Sequence, residues 1–176
     1  MQVRSDVHRP TSERPVKSIG LKSWGALTLW ILICLGVGWL GSFATMEGLR
    51  AWYPNLAKPA WTPPNGVFAP VWTTLYILMA ISAWLVGRSP YPDERRTGLA
   101  LFVIQLVFNL AWSVLFFGLR SPAMGLAMVV VLWLSIAATM RAFFKLSKPA
   151  TILLVPYILW VTFAATLNFA IWQMNP

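Results

Sequence analysis

Five long apolar runs, separated by shorter polar connections, dominate the hydrophobic pattern of the chain. A helix needs about 20 residues to cross a hydrocarbon core of about 30 Å. In lipid such a helix satisfies its backbone hydrogen bonds internally. The pattern therefore predicts an all-α integral membrane protein, a bundle of five transmembrane helices. Their approximate bounds are Trp24 to Thr45, Pro70 to Gly87, Thr97 to Gly118, Pro122 to Lys145 and Pro149 to Trp172.

The first apolar run follows a basic segment, an arrangement that signal peptides share. It is too long for a signal peptide, and no small-x-small cleavage site is obvious before Glu47, which favours a retained helix. Residues 1–22 are polar and basic and contain Pro10 and Pro15. We therefore expect two regions: a disordered N-terminal tail over residues 1–22 and a five-helix membrane domain over residues 23–176.

The basic residues lie mainly on one side of the predicted membrane. Of the 14 Lys and Arg residues, 11 lie in the N-terminal tail and in the second and fourth connections. Because cytoplasmic loops collect Lys and Arg, this bias predicts an N-terminus inside and a C-terminus outside. It also explains the net charge of +9 without a nucleic-acid partner.

The composition of the chain limits the classes of function that it can carry out. The chain is 58% hydrophobic and 11% charged, with a mean hydropathy of +0.66, which is too apolar for a soluble domain. No Asp, Glu, Lys or Arg lies deep in a predicted span, His8 is in the tail, and Cys34 is the single cysteine. The predicted spans therefore lack the residues that four common functions need. These functions are proton-coupled pumping, metal binding, binding of a haem through an axial ligand and Ser-His-Asp catalysis. We expect no metal and no bound cofactor.

The first connection, from Met46 to Phe68, is rich in both proline and aromatic residues. Prolines stiffen the chain, and aromatic side chains seek the headgroup region or a packed site. The connection is predicted to be a semi-rigid flap over one mouth of the bundle, and an interfacial anchor without a ligand fits its composition equally well. Its prolines are Pro54, Pro59, Pro63 and Pro64, and its aromatic residues are Trp52, Tyr53, Trp61 and Phe68.

Amide and aromatic residues recur at helical spacing within the spans. Residues three and four apart share a helix face, and an amide stripe in lipid should face inward. If these faces converge, they form an aromatic cavity suited to a large, flat, mostly apolar ligand. The amides fit equally well as hydrogen-bond partners between helices. The residues are Trp72, Tyr76 and Met79 in the second span, Gln105, Asn109 and Trp112 in the third, and Tyr157, Trp160, Ala164, Leu167 and Asn168 in the fifth.

Two blocks of sequence carry a specific combination of residues. The first is the run 52–64, WYPNLAKPAWTPP, followed by Phe68, Pro70, Val71, Trp72, Leu75 and Tyr76. The second comprises Pro156, Tyr157, Trp160, Phe163, Ala164, Leu167, Asn168 and the segment 172–175. With Asn109 and Trp112, they resemble the tryptophan-rich sensory protein family, also called the translocator protein or peripheral-type benzodiazepine receptor family. The resemblance extends from about Trp24 to the end of the chain.

The resemblance implies a pocket beneath the first connection that binds porphyrins, haem-related tetrapyrroles, sterols or benzodiazepine-type ligands. It also implies a homodimer. Sterol binding has weaker support, because Phe169 stands where a Tyr is expected and no Lys or Arg follows. The resemblance and the helix faces together give an expected ligand-binding set of Trp52, Tyr53, Trp72, Tyr76, Gln105, Asn109, Trp112, Tyr157, Trp160, Ala164 and Asn168.

The function that the resemblance implies is a membrane receptor or sensor for tetrapyrroles, linked to their transport or regulation. The alternative that it implies is an enzyme that degrades protoporphyrin IX in light and oxygen, with Trp112 and Trp160 as candidate catalytic residues. Passive movement of an apolar ligand along a helix groove is a third hypothesis. Family members occur in bacterial envelopes and mitochondrial outer membranes. The tail, with Asp6 and Glu13, does not look like a transit leader, so a bacterial cell membrane is expected.

Overall fold

Helices make up most of the part of the chain described by the structure, a computed structural model that covers residues 21–176. They are α1 Leu21–Glu47, α2 Phe68–Gly87, α3 Pro92–Ser113, α4 Pro122–Leu146, α5 Lys148–Leu153 and α6 Val155–Met174. Two π-helical turns, Gly48–Trp52 and Val114–Gly118, continue α1 and α3. Short 3-10 turns lie at Tyr53–Asn55 and Asn65–Val67.

Five helical stretches in the described residues are long and apolar enough to cross a membrane, which confirms the predicted number of spans. They cover residues 24–55, 65–87, 92–118, 122–146 and 148–174. Residues 1–20 of the predicted basic tail lie outside the described residues. The protein is therefore an all-α, multi-pass membrane protein.

Neighbouring helices close the bundle into a ring. Helix α1 packs along α2 and α3, α4 packs along α3 and α6, and α2 packs against α5 and α6. The order around the bundle is thus α1, α2, the α5–α6 pair, α4 and α3. The centre is filled by large side chains such as Phe102, Phe143 and Tyr157, while Leu32, Val107 and other apolar residues are exposed on the surface that faces lipid.

The fifth span is broken, although the sequence predicts one continuous helix from Pro149 to Trp172. Helix α5 ends at Leu153, and α6 begins at Val155 with a proline in its first turn. Pro156 has no backbone N–H and its ring clashes with the preceding turn, which explains the break. A buried hydrogen bond of 2.7 Å from the hydroxyl of Ser82 to the carbonyl of Ala150 attaches α5 to α2.

The first connection is fastened across one end of the bundle. The Lys58 Nζ donates to the carbonyl oxygens of Tyr53, Pro54 and Leu56 at 2.7, 3.1 and 2.9 Å. The side chain of Asn175, beyond α6, accepts from the Ala57 N–H at 3.0 Å and donates to the Ala57 carbonyl at 2.9 Å. The Lys58 bonds stiffen the connection from within, and the Asn175 bonds attach it to the end of α6, an arrangement that fits a flap.

Aromatic contacts join the same connection to α6. The ring of Trp61 lies 5.8 Å from that of Phe163, and the ring of Phe68 lies 5.9 Å from that of Trp160, both measured between centroids. Such edge contacts contribute about 0.5–1.5 kcal/mol each beyond the burial of their area. The flap, residues 48–67, is thus packed on the bundle as well as hydrogen-bonded to it.

Candidate ligand-binding cavity

A cavity of about 430 Å³ lies beneath the flap, between α1, α2, the end of α3 and α6. This volume falls in the range of small-molecule sites. Its aromatic wall consists of Trp39, Tyr53, Phe68, Trp72, Tyr76, Trp112, Phe116 and Phe117. Besides the hydroxyl and indole groups of these aromatic residues, its polar lining side chains are Ser42, Thr45, Asn65, Thr73, Asn109, Ser113 and Asn168.

The rings on α2 and α3 form one connected cluster. The Trp72 ring lies 5.6 Å from that of Tyr76 and 6.5 Å from that of Trp112, between centroids. The Trp112 ring stacks on that of Phe116 at 5.7 Å with an interplanar angle of 21°. Because these rings hold each other in place, they present a fixed apolar surface to a ligand.

Small residues on α1 make room opposite these rings. Gly38, Gly41, Ser42 and Thr45 all line the cavity. A Cβ atom on Gly38 would lie only 2.5 Å from the ring of Tyr76, so no larger residue lets this ring lie against α1. The small-xxx-small spacing of Gly38 and Ser42 is visible in the sequence, where it suggests close helix contact. In the structure it serves both close contact and the cavity.

The cavity opens sideways, between α1 and α2. Trp39, Ser42 and Met46 on α1 and Ala69 and Thr73 on α2 line it and are also exposed. Both helices are long and apolar enough to cross a membrane over this region. The opening therefore faces the side of the bundle that contacts lipid.

A chain of hydrogen bonds lies at the deep end of the cavity. The Tyr76 hydroxyl donates to Asn109 Oδ1 at 2.6 Å, Asn109 Nδ2 donates to the Tyr157 hydroxyl at 3.2 Å, and that hydroxyl donates to Gln105 Oε1 at 2.8 Å. All four side chains are buried. Gln105 Nε2 has no hydrogen-bond partner within residues 21–176. The chain joins α2, α3 and α6 and fixes the amide of Asn109 at the cavity wall.

A second polar contact fixes Trp112. Its indole Nε1 donates to Asn168 Oδ1 at 3.3 Å, and Asn168 Nδ2 donates to the carbonyl of Pro122 at 2.8 Å. Since the indole N–H is already engaged, Trp112 offers the cavity the face of its ring rather than a donor. Asn109 and Asn168 thus line the cavity and also connect helices, so the two interpretations of the amides hold together.

The structure brings most of the sequence-predicted site residues to the cavity. Seven of them line it: Tyr53, Trp72, Tyr76, Asn109, Trp112, Ala164 and Asn168. Gln105 and Tyr157 lie behind the wall, in the hydrogen-bond chain. Trp52 packs on Phe116, at 5.5 Å between ring centroids. Trp160 packs against Phe68 and Phe163, and its indole N–H is buried without a partner in the described part of the chain.

Sequence reasoning missed several lining residues. Trp39 has no role in the sequence analysis because it sits in an apolar run without a polar marker, and Phe117 and Ile171 line the cavity from similar surroundings. The walls of the cavity offer aromatic faces, hydroxyls and amides to a ligand. Within residues 21–176 no group of three or more His, Cys, Asp or Glu side chains is placed to hold a metal ion.

Comparison with known proteins gives a consistent result. The model of the TspO/MBR family matches residues 30–173. The "Tryptophan-rich protein TspO" of Chlorobaculum tepidum is 48% identical over 101 residues, which is 57% of this chain and 64% of that protein. The "Protein CrtK" of Rhodobacter capsulatus is 40% identical over 152 residues, 86% of this chain and 95% of that protein.

Similarity extends to animal proteins. The human "Translocator protein" is 42% identical over 86 residues, 48% of this chain and 50% of that protein. The aligned regions cover less than two thirds of the bacterial and archaeal TspO proteins, 64% of the Chlorobaculum tepidum and 62% of the Archaeoglobus fulgidus protein.

Proposed function

Because the chain belongs to the TspO/MBR family, we propose that it is a membrane receptor that binds a porphyrin-type tetrapyrrole in the cavity beneath its flap. The cavity lining supports the proposal, since aromatic rings from α1, α2 and α3 surround a space with few polar groups. A flat, largely apolar macrocycle gains from stacking on such rings. Asn109 and Asn168 each use one N–H and one oxygen lone pair within the bundle, which leaves a second N–H and a second lone pair on each amide for the polar edge of the ligand.

The names of related proteins agree with a receptor or carrier role. They include a "Tryptophan-rich sensory protein" of Cereibacter sphaeroides and several proteins named "Translocator protein". We propose that the seven predicted residues that line the cavity contact the ligand, and that Gln105 and Tyr157 position Asn109. Trp52 and Trp160 then support the flap and the ring cluster from behind. Sterols and benzodiazepine-type ligands are proposed for the same cavity because they too are flat and apolar.

The test is a titration of the purified protein with protoporphyrin IX, followed through the absorbance of the porphyrin. Wild-type protein should bind saturably, and Trp72→Leu should weaken binding because the central ring of the cluster is lost. Trp133→Leu is the matched control: Trp133 is partly exposed on α4, donates to Thr162 at 2.9 Å and does not line the cavity. Equal affinity in wild type and Trp72→Leu, or equal losses in both variants, would contradict the proposal.

The enzyme hypothesis is tested separately, through Trp112, whose ring lies at the cavity wall. If the protein degrades protoporphyrin IX, illumination in oxygen should yield a new absorbing product that does not form in the dark. Trp112→Phe should then lower the rate of product formation more than it lowers binding. Binding without any product supports the receptor role.

The setting proposed for this receptor is a bacterial cell membrane, with the N-terminus inside. The orientation rests on the distribution of basic residues in the sequence, and the type of membrane on the similarity to proteins of Chlorobaculum tepidum and Rhodobacter capsulatus. We further propose a homodimer and a basic tail over residues 1–22. Ala123 and Ala127 are exposed on α4 at a spacing that permits close helix contact, and they offer one surface for such a dimer.

A further inference from the structure

A second groove lies at the end of the bundle opposite the flap, where α4 gives way to α5. It has a volume of about 350 Å³ and is formed by Met140, Arg141, Phe144, Lys145 and Thr151. On α4, Arg141 is three residues before Phe144 and four before Lys145, so it neighbours both side chains. Lys148, at the start of α5, holds its Nζ near the exposed Phe144 ring, so three cations lie close to one aromatic side chain. This groove is separate from the ligand cavity.

The cations of this groove are not neutralised by the described part of the protein. The ion pair found within residues 21–176, between Arg120 and Glu47 at 2.9 Å, lies at the flap end. Arg141 and Lys145 are exposed, and neither forms a hydrogen bond or ion pair there. The Lys148 Nζ lies 5.7 Å from the centroid of the Phe144 ring. The groove is thus a concentrated positive charge beside an apolar side chain.

The position of the groove fits a lipid rather than a soluble anion. Arg141 precedes the last residue of α4, Leu146, by five residues, which at 1.5 Å per residue places it about 8 Å inside the helix end. At this depth a long basic side chain extends toward the headgroups while its stem contacts acyl chains. Phe144 and Ile152 are 58% and 66% exposed and supply the apolar contact.

We propose that this groove binds the headgroup of an anionic phospholipid, with Arg141 and Lys145 at its phosphate and the acyl chains against Phe144 and the adjacent apolar surface. Basic pockets between helices on the cytoplasmic side are the type of site that anionic lipids occupy. The predicted orientation of the chain places the groove on that side. The proposal is independent of which ligand the cavity beneath the flap binds.

The experiment measures lipid selectivity on the full chain. The protein is reconstituted in phosphatidylcholine vesicles that contain a trace of spin-labelled phosphatidylglycerol or spin-labelled phosphatidylcholine, and the protein-bound fraction of each label is read from its spectrum. Wild type should select phosphatidylglycerol. Arg141→Gln with Lys145→Gln should lower this selectivity by up to about fivefold per cation removed, which corresponds to about 1 kcal/mol for each basic residue near the membrane surface.

Two matched variants separate the groove from general charge. Arg88→Gln with Arg96→Gln removes two exposed cations at the same end of the bundle, outside the groove, and should leave most of the selectivity. Arg141→Lys with Lys145→Arg keeps both charges and should retain it. Unchanged selectivity in the groove variant, or an equal loss in the variant outside the groove, would overturn the proposal.

Free phosphate is tested in the same vesicles. Inorganic phosphate is compared with chloride at equal ionic strength. If the groove holds a lipid, both salts should reduce selectivity equally through screening. Specific displacement by phosphate would identify a soluble-anion site and overturn the lipid proposal. Helix content by circular dichroism confirms that each variant is folded before its selectivity is compared.

Discussion

Gly38 lies directly against the ring of Tyr76, which donates through its hydroxyl to Asn109. The ring also contacts that of Trp72, so it cannot move aside freely. The residue two positions earlier, Gly36, is different, because a Cβ atom there would meet nothing within 4 Å. The same substitution at these two positions should therefore have different effects.

We expect Gly38→Ala to destabilise the protein by about 1–3 kcal/mol, the usual cost of overpacking. It should also weaken protoporphyrin binding, because Tyr76 lines the cavity. Gly36→Ala should leave both properties close to wild type. Thermal unfolding in mixed micelles and the porphyrin titration measure the two effects. Equal behaviour of the two variants would show that the Tyr76 ring adapts and does not define the cavity.

Asn109 stabilises the fold through its two side-chain hydrogen bonds, to Tyr76 and Tyr157. Hydrogen bonds between membrane helices contribute about 0.6 kcal/mol on average, with a maximum of about 1.7. We expect Asn109→Leu to lower the free energy of unfolding by about 1–2 kcal/mol. In a double-mutant cycle with Tyr157→Phe, the two losses should be less than additive. Strict additivity would mean that the bond at 3.2 Å contributes nothing.

The residues that sequence reasoning placed in the cavity carried a polar or positional marker. Asn109 and Trp112 are predictable because an amide in a span has to face inward and Trp112, three positions later, shares its helix face. Trp39 could not be found in this way. Around a membrane helix both the lipid and the interior are apolar, so hydrophobicity alone does not tell which side of α1 faces the cavity.

The flap is the element whose position depends most on distant contacts. Asn175 bonds to both backbone groups of Ala57, across 118 residues of sequence. Composition predicted a stiff connection, but the location of its attachment depends on how α6 ends. The break at Leu154 is the opposite case. Pro156 is a local signal for this break, because proline lacks a backbone N–H, although the predicted helix from Pro149 to Trp172 runs through it.

We expect Asn175→Ala to loosen the flap. Amide hydrogen exchange in peptides that cover residues 48–67 should become faster, since local opening no longer breaks two hydrogen bonds to Asn175. Gln173→Ala is the matched control, because Gln173 is exposed near the same helix end and takes part in no hydrogen bond to the flap. The tie would be unimportant if both variants exchanged like wild type.

At the scale of the whole molecule, hydropathy was sufficient to predict five spans but not the order in which they pack. The length of an apolar run indicates only that its helix can cross the bilayer. Which helix lies beside which follows from side-chain shape, such as Gly98 against the ring of Phe143, where α3 meets α4. That information is present in the sequence but not in its period or composition.

The predicted orientation can be tested with single cysteines in a Cys34→Ala background, since Cys34 is the only cysteine of the chain. Ala60→Cys in the flap and Tyr91→Cys between α2 and α3 both introduce exposed thiols, at opposite ends of the bundle. In intact bacterial spheroplasts a membrane-impermeant maleimide should label position 60 but not position 91. Lysis should make both reactive. The reverse pattern would invert the topology and place the basic groove outside.

The sideways opening between α1 and α2 determines which reservoir supplies the cavity. When a hydrophobic compound reaches the cavity from the acyl-chain region, its rate of binding depends on its mole fraction in the bilayer. Its concentration in water matters only through the partition coefficient. At equilibrium the affinity does not depend on the route, so the opening should show in the rate of binding. Protein in vesicles that already hold the compound should bind it faster than protein that must receive the compound from the buffer.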